Sequence, residues 1–199
     1  MTPPTEERIA LESGAEVHVW RACLDCLDWP AAEGLPAPDR RRAAAIQVAA
    51  RRQRWAASRW ALRIALSRYV AAEPSELELL VDRGGKPRLA GDSALRFSLS
   101  HSGELALIAA AAGREVGIDV ERRGRRAVPF YEDWVRREAV GKCFGVGLAE
   151  PPPDRPVRVL PLDLGDEWAA ALAVAGTEQA PLVRRFDLVP AATAALARR

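Results

Sequence analysis

The chain has 199 residues, of which 49% are hydrophobic and 28% are charged, the balance of a globular protein with one large domain or two small ones. Its 29 basic and 27 acidic side chains give a formal net charge of +2, which argues against a nucleic-acid-binding protein held by its overall charge. No signal peptide is indicated, and no apolar run approaches the roughly 18 residues of a membrane helix, so we expect a cytoplasmic protein without membrane contact.

The first half of the chain predicts one strand, a long helical stretch and a hairpin. Residues 16–22 alternate apolar and polar side chains, as a half-buried strand does. The Ala- and Arg-rich stretch from 39 to about 72 predicts a helix that is broken once and has an apolar stripe. Residues 77–81 predict a strand, and the turn at 82–85 leads into a short strand with Lys86 and Pro87.

Further strands and one helix complete the predicted elements. Strands are predicted at 95–99, 105–111 and 115–120, a helix at 131–144, and the last strands at 157–164, 168–175 and 182–189. Because both halves combine a helix with a small meander, we predict an α+β fold, a pseudodimer of two similar α/β halves, each a helix packed on a small, mostly antiparallel sheet. We place the halves at residues 1–112 and 113–199, with the active site between them.

The three cysteines do not indicate a disulfide framework. Cys23 and Cys26 form half of a zinc-ribbon pattern, but no second pair follows and Cys143 is remote in sequence. Asp25 and Asp28 surround the pair, and a reactive thiolate needs an electropositive setting instead. We therefore expect three unreactive thiols.

Two carboxylates stand two positions apart at the end of a predicted strand. The side chains of Asp119 and Glu121 project from one face, because side chains alternate along a strand. Mg²⁺ commonly takes one or two carboxylates together with waters and a substrate phosphate, so this pair is a candidate metal site. Two ordinary acids on a solvated edge strand are the alternative explanation.

The predicted helix at 131–144 carries a second acidic and basic pair. Glu138 and Lys142 are four residues apart, so a surface ion pair would explain them. A functional interpretation places Glu138 at a metal or as a base, with Lys142 reaching a phosphate. Lys142 and Lys86 are the only lysines among the 29 basic residues, which favours sites that need a compact ammonium.

Further polar groups flank the carboxylate strand. His101 lies between Ser100 and Ser102 in a predicted turn, where an imidazolium could donate to a phosphate oxygen. A purely structural histidine is the alternative. The basic run at 122–126 follows Glu121 directly and could attract an acidic partner, although such runs are usually solvated faces.

In their order along the chain, these motifs resemble the 4′-phosphopantetheinyl transferase superfamily. The resembling type is the pseudodimeric one that acts on carrier proteins of polyketide and nonribosomal peptide synthesis. The resemblance covers roughly residues 16–189, and its specific motifs lie within 85–142. They are Gly-Lys-Pro at 85–87, Phe-Ser-Leu-Ser-His-Ser at 97–102, Val-Gly-Ile-Asp-Val-Glu at 116–121, and Trp134 followed by Glu138, Ala139 and Lys142.

The resemblance implies a reaction and a role for each matching residue. Such enzymes transfer the 4′-phosphopantetheine arm of coenzyme A to a serine of an apo acyl or peptidyl carrier protein, with Mg²⁺. The metal ligands implied are Asp119, Glu121 and Glu138. The catalytic residues implied are Glu138, also as base for the serine, and Lys142 and His101, which hold the pyrophosphate. The remaining coenzyme A contacts implied are Arg54, Lys86, Pro87 and Ser100, with Arg42 as a looser match.

One departure from the family pattern concerns the segment between Glu121 and Trp134. Relatives of this type usually carry a longer segment there, which includes a helix and a loop that help to dock the carrier protein. The alternative hypothesis is therefore a catalytically impaired relative that binds coenzyme A or a carrier protein. The expected partners are coenzyme A and the carrier protein, without nucleic acid, and the expected state is a monomer.

Overall fold

The computed structural model describes residues 9–11, 16–26, 28–82, 84–147, 150–176 and 180–188. Three α-helices and nine strands of at least three residues lie in these ranges, together with a 3-10 turn at Ala32–Gly34. In chain order they are β1 (Glu16–Cys23), α1 (Ala37–Ala44), α2 (Ala49–Ser67), β2 (Leu79–Val81), β3 (Pro87–Leu89), β4 (Leu95–Ser102), β5 (Leu105–Ala112), β6 (Val116–Arg122), α3 (Val128–Phe144), β7 (Val157–Pro161), β8 (Trp168–Ala175) and β9 (Leu182–Asp187).

The first sheet has the strand order β4-β5-β1-β9. β5 is antiparallel to both of its neighbours, and β9 is parallel to β1. Every residue of β5 except its last is buried, because both faces of this central strand are covered. Its Ala106, Ile108 and Ala110 pack in the cluster that contains Ala61 and Leu62 of α2.

A buried acid connects the two helices beside this sheet. Asp39 of α1 accepts hydrogen bonds from Arg63 at 2.8 Å and from Arg59 at 3.1 Å, both of which belong to α2. A buried carboxylate of this kind is tolerated when charged donors satisfy it. The predicted helical stretch with a single break is confirmed, and the break lies between Ala44 and Ala49, but the second helix ends at Ser67 rather than near residue 72.

The second sheet has the antiparallel order β6-β8-β7, and α3 packs on it. Small side chains permit this close packing: alanines of β8 lie against Val135, Ala139 and Cys143 of α3. The two sheets together with their helices confirm the predicted α+β fold.

The two sheets meet along β4 and β6, each of which is the edge strand of its own sheet. Three serine side chains of β4 bridge this junction. The hydroxyls of Ser98, Ser100 and Ser102 accept hydrogen bonds from the backbone N–H groups of residues 118, 120 and 122, at 3.1, 3.4 and 3.1 Å. Hydroxyls thus satisfy donors that an edge strand would otherwise leave without a backbone partner.

Several element boundaries differ from the prediction. β4 continues to Ser102, so His101 lies within a strand and the prediction of a turn there is wrong. The helix predicted at 131–144 begins three residues earlier, at Val128. The last strand ends at Asp187, and residue 189 lies outside the described residues. The division into halves at residue 112 stays a prediction, while β9 of the second half pairs with β1 of the first.

The prediction of three free thiols is wrong for two of them. Cys23 and Cys26 form a disulfide, with their Cα atoms 5.4 Å apart. The reason lies in the local turn at the end of β1: the N–H of Cys26 donates to Cys23 Sγ, which folds the four residues back on themselves. Cys143 is free and buried, and burial raises the pKa of its thiol to about 11.

These cysteine environments predict a specific thiol count. Ellman's reagent should find no fast-reacting thiol in the native, unreduced protein, because the free Cys143 is buried and largely protonated near pH 8. Denaturation alone should expose one thiol, and denaturation with a reductant should expose all three. The Cys143→Ser variant is the control and should remove the single thiol seen without reductant. Two fast-reacting thiols in the native, unreduced protein would contradict the disulfide.

No helix among the described residues combines the length and the apolar character that crossing a bilayer requires.

Candidate active site

A glycine of β6 sets the distance between β6 and α3. A Cβ added to Gly117 would lie 2.0 Å from the carbonyl oxygen of Ala139 and 2.3 Å from the backbone nitrogen of Cys143. Only glycine permits this approach of strand and helix backbones. Asp119, two residues further along β6, projects from the same face as Gly117, toward the part of α3 that carries Glu138 and Lys142.

Asp119 is the centre of the polar contacts between β6, α3 and β4. Its Oδ1 accepts a hydrogen bond from Lys142 Nζ at 2.6 Å and another from the Ser100 hydroxyl at 2.8 Å. Lys142 Nζ also donates to Ser100 Oγ at 3.0 Å. The second oxygen, Oδ2, is buried and has no hydrogen-bond partner within the described part of the chain. A buried carboxylate oxygen without a donor is costly, which indicates a missing ligand on that side.

Glu121 and Glu138 complete the acidic group. Glu121 Oε2 accepts a hydrogen bond from the Ser102 hydroxyl at 2.8 Å. The pKa of Glu138 is raised above its usual range, mainly by burial and then by the negative charge of Asp119, with a further contribution from Glu121. A divalent cation would relieve the repulsion that Glu138 experiences from the two neighbouring carboxylates.

The acidic group is not assembled as a complete metal site. Across the described residues, no three His, Cys, Asp or Glu side chains lie in a metal-binding cluster. The Lys142 ammonium donates a hydrogen bond to Asp119 Oδ1, whereas Asp119 Oδ2 receives none from the described residues. This donor set nevertheless fits Mg²⁺, because that ion needs few protein oxygens and completes its shell with waters and phosphate. The fit rests on Asp119 Oδ2, with Glu121 and Glu138 as the further carboxylates.

His101 lies on the opposite face of β4 from the three serines, and its side chain is exposed. Partial desolvation, followed by the nearby Lys142 cation, lowers the pKa of His101 below its usual value. The ring is therefore neutral at neutral pH, contrary to the imidazolium that the sequence led us to expect. A neutral imidazole still has one N–H that can donate to a phosphate oxygen.

The ammonium of Lys86 is bound by acceptors other than Asp119. Its side chain is buried, and its ammonium donates to Glu115 Oε2 at 2.6 Å, to the Val116 carbonyl at 3.1 Å and to the Cys143 carbonyl at 2.6 Å. The last contact places a cation at the carbonyl end of α3, where the helix dipole favours it. Pro87 follows as the first residue of β3.

Two arginines predicted to contact coenzyme A lie on the first pair of helices. Arg54 of α2 donates to both carboxylate oxygens of Asp25, in the loop that the disulfide closes, with the Arg54 Nε to Asp25 Oδ1 distance at 3.0 Å. The Asp25 loop also adjoins the turn after β4, since the N–H of Leu24 donates to the carbonyl of Glu104. Arg42 is exposed on α1.

Hydrogen bonds hold the short, largely exposed connection from β6 to α3. The backbone N–H of Gly124 donates to the Tyr131 hydroxyl at 2.9 Å. Arg123 donates to the Asp166 carbonyl at 2.9 Å and pairs with Glu132 at 3.3 Å. The five residues between the strand and the helix therefore bring α3 onto the sheet without an intervening element.

The first turns of α3 expose an aromatic surface beside these basic residues. Phe130 and Trp134 are 39% and 38% exposed, and their rings are stacked with centroids 6.1 Å apart. The Arg126 guanidinium lies 4.3 Å from the Phe130 ring centroid. Val128, at the start of the helix, is half exposed. We call these four residues the α3 surface.

Three residues of this arrangement had no predicted role: Ser98, Ser102 and Gly117. The alternating pattern Ser-Leu-Ser-His-Ser could have indicated a role for the serines. It places three hydroxyls on one face of a strand that is otherwise expected to be apolar. Gly117 stands inside an apolar strand, which is a sign of close backbone approach. Both signals indicate contact with another element but do not identify that element.

Comparison with known proteins adds an independent observation to this geometry. No family model matches the chain. A curated protein from Nostoc sp. (strain PCC 7120), the 4′-phosphopantetheinyl transferase HetI, is 30% identical to it over an alignment 209 positions long, which covers 81% of this chain and 88% of that protein. At this identity and coverage, the chain belongs to the 4′-phosphopantetheinyl transferases.

Proposed function

We propose that this transferase moves the 4′-phosphopantetheine arm of coenzyme A to a serine hydroxyl of an apo acyl or peptidyl carrier protein in a Mg²⁺-dependent reaction. The main support for the dependence on Mg²⁺ is Asp119 Oδ2, which is buried and has no hydrogen-bond partner among the described residues. Lys142 and the further carboxylates Glu121 and Glu138 lie next to it. A cytoplasmic location and a monomeric state belong to the same proposal.

Each side chain of the site has its own role in the proposed transfer reaction. The carrier serine oxygen bonds to the phosphorus that bears the pantetheine arm, the bond from that phosphorus to the bridging oxygen breaks, and 3′,5′-ADP leaves. Glu138 takes the serine proton, a task for which a carboxyl with a raised pKa is suited. Lys142 and His101 donate to the pyrophosphate oxygens. Bound Mg²⁺, held by Asp119, Glu121 and Glu138, would neutralise charge on the same oxygens.

The remaining contacts concern the adenosine end of coenzyme A. Arg54, Arg42, Ser100 and Pro87 are proposed contacts there, and Arg54 would exchange Asp25 for a phosphate. For Lys86 we propose a different role. Because three protein acceptors already hold its ammonium, it fixes the end of α3 and thereby the placement of Lys142.

The decisive test is a mass assay with a panel of apo carrier proteins, coenzyme A and Mg²⁺. Transfer adds the mass of one phosphopantetheine group to a carrier, and replacing the acceptor serine with alanine must abolish the gain. Absence of the gain across acyl and peptidyl carriers would refute the proposal.

The second candidate function is a relative that binds coenzyme A or the carrier protein but transfers nothing. The short connection between β6 and α3 favours it, because the element that usually helps to dock the carrier is missing. Calorimetry would identify this case by binding of coenzyme A in the presence of Mg²⁺, together with no mass gain on any carrier.

The α3 surface is our proposed carrier contact. Its stacked rings and the Arg126 guanidinium fit a partner that combines an apolar patch with acidic side chains, as aromatic residues and arginines are the usual anchors of protein interfaces. The exposed Arg125 and Arg136 lie nearby in sequence and add to the positive charge.

Replacing Phe130 with serine should raise KM for the carrier protein by roughly 10-fold or more, because an interface aromatic contributes about 2 kcal/mol. KM for coenzyme A should stay unchanged. The control is Leu80→Ser on β2, which removes a more exposed apolar side chain from another surface. Equal effects of the two substitutions, or a change confined to KM for coenzyme A, would contradict the assignment.

A further inference from the structure

The three serines that join β4 to β6 differ in whether their hydroxyl also donates to a carboxylate. Each hydroxyl accepts a hydrogen bond from a backbone N–H of β6. Ser100 and Ser102 also donate to a carboxylate, to Asp119 at 2.8 Å and to Glu121 at 2.8 Å. Ser98 has the backbone contact to Ile118 and lies where β6 presents Gly117, which has no side chain to accept its proton.

We propose that Ser102 is a positioning residue that fixes the carboxylate of Glu121 for the divalent cation. The inference rests on the proposed metal-dependent function. A serine hydroxyl has one proton to donate and two lone pairs that accept. In Ser102 the N–H of Arg122 occupies an acceptor position, so the single proton is free for Glu121 Oε2.

This arrangement ties the Glu121 side chain to its own backbone. The backbone N–H of Arg122 follows Glu121 immediately in the chain. The Ser102 hydroxyl accepts a hydrogen bond from this N–H and donates one to the Glu121 carboxylate. The partly buried Glu121 carboxylate therefore has one fixed oxygen and one oxygen, Oε1, that can face a cation. Without the hydroxyl, the side chain gains rotational freedom that metal binding must remove. Groups that orient metal ligands typically contribute 10- to 100-fold to metal affinity.

The test compares Ser102→Ala with Ser98→Ala, which removes the same kind of backbone contact without touching a carboxylate. Binding of Mn²⁺ to the protein alone, measured by electron paramagnetic resonance, gives a readout that does not depend on catalysis. We expect the Kd for Mn²⁺ to rise roughly 10- to 100-fold in S102A and to change less than about threefold in S98A. Ser102→Thr, which keeps a hydroxyl and suits a strand, should restore most of the affinity. Melting temperatures report whether each variant is folded.

The outcomes separate this proposal from the proposed function. Equal Mn²⁺ affinity in S102A and the wild type, with transfer intact, would overturn the role of Ser102 and leave the enzyme assignment standing. Equal losses in S98A and S102A would overturn it in favour of a purely structural junction. If the wild-type protein binds no Mn²⁺, the role of Ser102 and the metal assignment both fail. A mass gain on the carrier in the absence of metal would still support the transferase assignment.

Discussion

The Asp119→Asn variant should lose phosphopantetheine transfer by roughly 10³-fold or more, equivalent to about 4 kcal/mol in the activation free energy. Asparagine keeps the size of the side chain but removes the charge that pairs with Lys142. It also replaces one of the two carboxylate oxygens, Oδ1 in contact with Lys142 or the open Oδ2, with an amide nitrogen that cannot bind a cation. The transfer rate at saturating coenzyme A and carrier protein is the measurement.

A second measurement shows where this loss arises. In the wild type, added Mn²⁺ should raise the melting temperature, because a ligand that binds only the folded state stabilises it. In D119N that increase should disappear. Asp187→Asn is the control, since Asp187 is an exposed carboxylate that pairs with Arg21 at the end of β9. A D119N rate within about tenfold of the wild-type rate would exclude Asp119 as a metal ligand.

The Gly117→Ala variant should combine a loss of stability with a loss of activity. The new Cβ would clash with backbone atoms of Ala139 and Cys143, which cannot move independently of α3. Overpacking of this severity costs about 3 kcal/mol, which lowers the melting temperature of a protein of this size by roughly 6–12 °C. Because α3 carries Glu138 and Lys142, its displacement should also lower kcat. Thermal unfolding and the mass assay measure the two effects.

Gly147→Ala provides the matched control for this variant. A Cβ on Gly147 would meet no atom of the described residues within 4 Å, and its backbone does not have a positive φ. The control should therefore leave both the melting temperature and kcat unchanged within error. If G117A melts like the control, then β6 and α3 are not in the close contact described, and the alignment of Asp119 with α3 needs another explanation.

The types of element and most of their positions could be predicted from periodicity. Trp168–Ala175 is a strand at the predicted limits, because its apolar run ends at turn residues on both sides. The strand order could not be predicted in the same way. β9 lies beside β1 although some 160 residues separate them in the chain, and local patterns carry no information about such pairing.

The members of the candidate site could be proposed from the ordered motifs, but their contacts could not. Spacing along a helix left a surface ion pair of Lys142 with Glu138 as one of two explanations, whereas in the structure Lys142 pairs with Asp119 across two elements. Lys86 was assigned to phosphate from its motif, and its three acceptors come from segments distant in sequence. In both cases tertiary contacts determine the partner of the ammonium group, because a charged group pairs with the opposite charges and acceptors that the fold brings close to it.

The position of β9 affects how this chain can fold during synthesis. Until residues 182–187 leave the ribosome, β1 presents an unpaired strand edge and the buried Glu16 lacks Arg184, its charged partner. A nascent chain that already contains β6, β8 and α3 still lacks one strand of its first sheet. The two halves are therefore expected to become stable together rather than one after the other, and truncation before β9 should affect the entire molecule.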